Sequence, residues 1–374
     1  MPTLRACIAL VLIAQAFSLA IAKSPARAQV ANTSEPERRV YAAAQTQRGD
    51  LQLVADLYRP REGPVKGAIV IIHGGGFATG DPVSDENRAY GISLAERGYV
   101  AAAISYRLIG DQPTIDGWAE AYSRMVRGYS DPRMAAAIER LGPGFPDAVA
   151  AAAVDLVTAI RWLRSHADEL GFQPQDVAMF GASAGAISAL TTAYNMDLFG
   201  AQDLQVAAVI DLRGLLLNPR DAPNPFEQRD APLLILHGEG DQRVPLSDAE
   251  TVFQLASEAG TPVEFYTAPG MGHELGGVEL LDLRVEDGRT VLDKIDAFVE
   301  SAFDGTIATQ RTVRGRLLQP PSSATDPEDD DPAAASDNER QGNAAPGDSL
   351  LRERIALDHA RTGSAELSGP RRGI

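Results

Sequence analysis

A serine set between glycines is the first place in this sequence where a nucleophile could be made. Gly181-Ala182-Ser183-Ala184-Gly185 follows the predicted strand 176–180 and precedes the helical stretch 186–194. A sharp strand-to-helix turn with small neighbours can hold a hydroxyl on strained backbone at a helix N-terminus, where negative charge is favoured. The same five residues could also be a serine N-cap on a tight turn. A second motif favours the nucleophile. His73-Gly74-Gly75-Gly76-Phe77 ends another apolar run, and successive glycines let backbone N–H groups turn toward a bound charge. In acyl transfer the N–H groups of Gly75, Gly76 and Ala184 would form an oxyanion hole, each donor contributing about 2.7–4 kcal/mol to transition-state stabilisation. A phosphate loop would want Lys-Ser or Lys-Thr after its glycines, or G-x-G-x-x-G opening a helix, and neither is present.

A serine nucleophile needs a base, and the base needs an acid to orient it. Among the histidines, His73 belongs to the glycine loop, His166 to a helical stretch, His237 to a strand end and His359 to a polar C-terminal region. His273 lies in the turn-rich Pro269-Gly270-Met271-Gly272-His273-Glu274, a setting from which an imidazole can reach across a site. Asp241 follows the apolar run 233–236 in a polar loop; Glu239 and Asp211 are rival acids.

These residues need a scaffold that gathers distant loops. Strands are predicted at 51–58, 68–73, 99–105, 176–180, 206–210, 232–237 and 263–266. Helices are predicted at 87–97, 146–170, from 183, from 247 and at 288–303. The alternation implies an α/β fold, a mostly parallel central sheet with helices on both faces. In such sheets reactive groups collect at the carboxyl ends of the strands. The stretch 109–144, with Trp118, Tyr122, Met125, Tyr129 and Met134 among polar residues, reads as a small helical cap over the site or as a surface excursion.

The pairing of HGGGF with a downstream G-x-S-x-G resembles the esterase and lipase branch of the α/β-hydrolase fold family. The nearest likeness is to hormone-sensitive-lipase-like and feruloyl-esterase-like carboxylesterases. Asp56-Leu57-Tyr58-Arg59-Pro60, Ser105-Tyr106-Arg107-Leu108 and Ala159-Ile160-Arg161-Trp162-Leu163-Arg164 add to the resemblance, which spans about residues 51–303. Departures are Ala182 where many relatives carry an acid, Ala186 where glycine is common, and a short interval from Ser183 to Asp241. The resemblance implies the chain order Ser, Asp, His, and so favours Asp241 over its rivals, with His273 as base. It further implies cofactor- and metal-free hydrolysis of small or short-chain carboxylic esters through an acyl-enzyme. A peptidase or amidase on the same fold, and a catalytically inactive hydrolase fold that only binds, are the alternatives.

The formal net charge of −17 argues against nucleic acid and anionic membranes as partners, and leaves a small-molecule ester as the expected one. Cys7 is the only cysteine, which excludes an intrachain disulfide and a cysteine-based metal site. It sits in an apolar run at 6–22 behind Arg5, with small-residue sites at Ala20-Ile21-Ala22 and Ala26-Arg27-Ala28. That is the pattern of a secretory signal over 1–28, with an uncleaved anchor as the rival reading. The expected organisation is then a linker at 29–39, a catalytic domain at 40–304 and an unstructured tail at 305–374. The protein is expected to be exported, periplasmic or extracellular, without stable membrane insertion once the signal is removed.

Overall fold

Apolar runs buried on both faces build the centre of the molecule. The computed structural model describes residues 35–200, 204–218 and 222–318. The signal-like segment, most of the expected linker and everything beyond residue 318 lie outside the described residues. The chain opens with strands β1 (Glu37–Thr46), β2 (Gly49–Tyr58) and β3 (Gly67–Ile72), helix α1 (Asp85–Glu96) and strand β4 (Tyr99–Ile104). Helices α2 (Trp118–Arg127), α3 (Pro132–Leu141), α4 (Phe145–Ser165) and α5 (Ala167–Leu170) follow. Next come β5 (Val177–Ala182), α6 (Ala184–Tyr194), β6 (Ala208–Leu212), β7 (Leu233–Gly238), α7 (Leu246–Ala259) and β8 (Val263–Ala268). The described chain closes with β9 (Arg284–Val285), α8 (Val291–Phe303) and β10 (Thr312–Leu318).

The strands form one sheet in the order β1-β2-β4-β3-β5-β6-β7-β8-β10-β9. From β4 to β10 the pairs are parallel; β1 and β2 at one edge and β9 at the other pair antiparallel. All residues of β3 to β8 are buried, as a sheet covered on both faces requires. Alternate side chains serve opposite layers. Val70 and Ile72 join the core formed with α2, α4, α6 and α7, whereas Ile69 and Ile71 face Tyr90 and Leu94 of α1 and Ile295 and Val299 of α8. The parallel strands place the loops after β3, β5, β7 and β8 at one edge of the sheet.

Two boundaries expected from composition are corrected. The tail does not become unstructured at residue 305, because Thr312–Leu318 forms β10 and pairs in parallel with β8 from Thr312↔Val263 to Arg316↔Thr267. Composition averaged over a long polar tail hides seven residues whose Leu317 enters the core and whose neighbour Arg311 bonds the buried Glu264 at 2.8 Å. Likewise β1 begins at Glu37, inside the expected linker. Bidentate bonds of 2.8 and 2.9 Å from Arg38 to Asp56 fasten it to β2, and Tyr41 donates to the Ser105 carbonyl at 2.6 Å. The long helix expected to run to residue 170 breaks at His166 (φ −107°, ψ 10°), where Ser165 Oγ and His166 Nδ1 both take up the Trp162 carbonyl.

The insertion at 109–144 is helical. Ala119, Tyr122 and Val126 of α2 are buried in the core shared with α4, and the Tyr122 hydroxyl lies 2.9 Å from Thr191 Oγ1. Its base is anchored by Arg107, whose buried guanidinium bonds Asp155 of α4 and the carbonyls of Gln45 and Thr114. Such a pair adds little net stability, but loss of one partner costs about 3–5 kcal/mol because a buried charge is left alone. Helix α3 has no buried residue and reaches over the carboxyl edge of the sheet.

Candidate active site

Ser183 sits at the turn from β5 into α6 with φ 53° and ψ −115°, a conformation that L-residues rarely adopt. The flanking glycines make the turn possible. A β-carbon on Gly181 would fall 2.6 Å from the amide nitrogen of Ala186, and one on Gly185 would fall 2.1 Å from the carbonyl oxygen of Ile72. The helix start is therefore wedged between β5 and β3. Ser183 N–H donates to the Leu212 carbonyl at 2.9 Å, which ties the turn to β6 as well. Strain of this kind costs about 1–3 kcal/mol and persists only where the surroundings impose it.

The imidazole of His273 bridges the two other predicted residues. Its Nε2 is 3.0 Å from Ser183 Oγ and its Nδ1 is 2.7 Å from Asp241 Oδ2. The carboxylate only accepts, so Nδ1 carries the proton and Nε2 is left to accept from the serine hydroxyl. Asp241 is buried, and its Oδ1 takes the N–H groups of Arg243 and Val244 at 2.8 and 2.9 Å. Three fixed donors hold this carboxylate in one orientation. His237 stands 3.4 Å from Asp241 Oδ2, but its Nε2 donates to the Val244 carbonyl at 2.8 Å and burial pushes its pKa down. It is thus a neutral neighbour of the carboxylate.

The rival acids are occupied elsewhere. Asp211 is buried and accepts from Gly214 N–H at 2.7 Å, with burial raising its pKa to about 7. Glu239 takes the Thr267 hydroxyl at 2.9 Å and the Arg316 guanidinium. His166 stacks on Trp162 at the end of α4, and His359 lies outside the described residues.

The glycine loop lies directly over Ser183. A β-carbon on Gly74 would sit 3.4 Å from the Ser183 β-carbon. Gly75, Gly76 and Phe77 all have positive φ, at 106°, 61° and 60°. The turn closes on the Gly75 carbonyl, which receives Ala78 N–H and Thr79 N–H at 3.1 Å. His73 buttresses it from behind, bonding the Gly74 carbonyl at 2.7 Å through Nδ1 and stacking on Tyr106 at 4.2 Å. Tyr106 in turn donates to the His73 carbonyl at 2.9 Å. Among the described residues, the N–H groups of Gly75, Gly76 and Ala184 form no backbone–backbone hydrogen bond, and all three residues line one cleft with Ser183 and His273. The cleft holds about 740 Å³, and Met134, Ala137 and Leu141 of α3 form part of its wall. A proton could pass from the serine to the imidazole here, with amides that have no backbone partner among the described residues close by to receive negative charge.

Arg213 and Glu86, which line this cleft, and His237, which stands beside Asp241, sit in no motif that the sequence marks. Among the described residues, no group of three or more His, Cys, Asp or Glu side chains could hold a metal ion. Nor is any single helix long and apolar enough to cross a membrane among those residues.

Parts of the chain are similar to known proteins. Residues 156–285 match a protein family described as Phospholipase/Carboxylesterase. An uncharacterized protein of Mycobacterium tuberculosis is 30% identical over 168 residues, which cover 42% of this chain and 55% of that protein. Esterase LipC of the same organism is 28% identical over 169 residues, covering 34% of this chain and 41% of LipC. The chain thus spans about half the length of the curated relatives it matches. Among solved structures, the apo form of Thermogutta terrifontis esterase 2 superposes with a TM-score of 0.52 at 22% identity, covering 73% of this chain and 96% of the esterase. The propionate-bound form of that esterase gives the same TM-score. The chain has the α/β-hydrolase fold.

Proposed function

We propose that this protein is a serine carboxylic ester hydrolase acting through an acyl-enzyme on small or short-chain esters. The observation that carries the reading is the pair of distances at His273, 3.0 Å to Ser183 Oγ and 2.7 Å to Asp241 Oδ2, beside a cleft lined by the glycine loop. His273 takes the Ser183 proton as the oxygen attacks the ester carbonyl, and Asp241 stabilises the imidazolium without accepting the proton. The N–H groups of Gly75, Gly76 and Ala184 receive the oxyanion. His273 then protonates the departing alcohol, and water enters by the same route to release the acid. The HGGG pairing supports a hormone-sensitive-lipase-like or feruloyl-esterase-like subtype. Thermogutta terrifontis esterase 2 has been solved with propionate and with butyrate bound, and this supports the choice of short acyl chains. The leader-like N-terminus supports export to the periplasm or beyond.

The test is hydrolysis of p-nitrophenyl acetate by the full chain and by Ser183→Ala. The variant should lose the activity while unfolding at nearly the same temperature. Retained activity in the folded variant would refute the reading, and an acetyl-to-decanoyl ester series would decide the acyl length.

A further inference from the structure

We infer that Arg213 is a positioning residue, holding His273 against Ser183 through the backbone that follows the histidine; this rests on the serine-hydrolase reading above. The loop carrying His273 has no sheet ladder to fix it. On its upstream side, Gly240 N–H donates to the Met271 carbonyl at 2.8 Å, coupling the loop to the one that carries Asp241. Downstream, Leu275, Gly276 and Gly277 all have positive φ, at 50°, 79° and 60°, and Leu275 as a non-glycine residue is strained there. The Glu274 carbonyl, one residue past the histidine, accepts from Gly277 N–H at 2.8 Å and from Arg213 Nη1 at 2.8 Å.

Arg213 is built to make that bond. It has a positive φ of 53° in a turn that Asp211 closes by accepting Gly214 N–H. Its own N–H donates to the Leu236 carbonyl at 3.0 Å, and the preceding Leu212 carbonyl accepts from Ser183 N–H. The backbone of Arg213 is therefore fixed next to the residue that holds the serine, and its side chain holds the residue next to the histidine. Nη2 bonds Glu86 Oε1 in the first turn of α1 at 3.0 Å. Tyr90, one turn along α1, places its hydroxyl 2.8 Å from the same oxygen and 3.3 Å from the Gly277 carbonyl. Arg213, Glu86 and Tyr90 thus form a clasp reaching the His273 loop at two carbonyls.

Burying this cation is costly. Its side chain is 5% exposed, and its Nε has no hydrogen-bond partner among the described residues. A rigid fork that spans a carboxylate and a carbonyl accounts for arginine at this position; the single nitrogen of lysine does not reproduce it. Glu86 is 31% exposed, so water can solvate it when the cation is removed, and a variant chain should still fold.

The experiment measures kcat, KM and thermal unfolding for the full chain, Arg213→Met, Arg213→Lys and Ser183→Ala with p-nitrophenyl acetate. Arg213→Met should lower kcat by about 10- to 100-fold with KM little changed, the signature of a misplaced base. Arg213→Lys should recover only part of that loss. A raised KM at full kcat would make Arg213 a substrate contact and overturn the inference, as would a lowered unfolding temperature at full kcat. If Arg213→Met does not fold, the folded Arg213→Lys decides: reduced kcat supports the clasp, and wild-type kcat overturns it. Activity surviving in Ser183→Ala would instead strike the serine-hydrolase reading itself, a result separate from any outcome at residue 213.

Discussion

Gly185 packs so tightly against β3 that a β-carbon on it would fall 2.1 Å from the carbonyl oxygen of Ile72. The glycine thus sets how closely the start of α6, and Ser183 with it, approaches the strand that carries the glycine loop. Gly185→Ala must push these elements apart, since the obstructing atoms are backbone. We expect a loss of about 1–3 kcal/mol in stability, as for other overpacked sites. Esterase activity should fall at least tenfold, because 1 Å of misplacement can cost about 10²-fold in rate. Thermal unfolding and kcat measured on the same preparation check this; an unchanged pair of values would mean that the approach is not needed.

Asp241→Asn tests the orientation of the imidazole. An amide nitrogen facing Nδ1 would favour the tautomer with the proton on Nε2, which can no longer accept from Ser183. The expected loss in kcat is on the order of 10³–10⁴, with KM nearly constant. Steady-state kinetics decide it, and a loss below tenfold would point to a different acid.

The buried Asp211 predicts a pH dependence of stability separate from catalysis. Its folded pKa of about 7 lies above the ordinary value near 3.9 for aspartate. Between roughly pH 4 and pH 7 the unfolded chain has released this proton while the folded chain keeps it, so the group destabilises the fold increasingly as pH rises. Below that window both states are protonated and the cost vanishes; above it the cost is constant. Asp211→Asn removes the titration and keeps a carbonyl oxygen to accept from Gly214. The variant should therefore gain in unfolding temperature relative to wild type between pH 5 and pH 8. A difference independent of pH would remove Asp211 as its source.

Much of this site is legible in the sequence. Ser183 and the glycine loop stand in short contiguous motifs at strand ends. His273 and Asp241 fall in turn-rich loops after apolar runs, where a parallel sheet collects reactive groups. What could not be read is what depends on contacts across the chain. Arg213 meets Glu274 and Glu86, partners 61 and 127 residues away, and the Leu-Arg-Gly around it reads only as the end of a strand. β10 was hidden because its arginines and its polar surroundings outweigh the few residues that enter the core. β1 was hidden because it is an edge strand whose exposed positions blur the alternation. The break at His166 depends on two side chains competing for one carbonyl, which apolar periodicity does not register.

The most direct measurement is mass spectrometry of the full chain after reaction with paraoxon, a reagent that phosphorylates Thermogutta terrifontis esterase 2. The account predicts one diethyl phosphate per chain, on the peptide containing Ser183, formed in step with loss of esterase activity. An active enzyme that stays unlabelled, or one inactivated by a label on another residue, would contradict it.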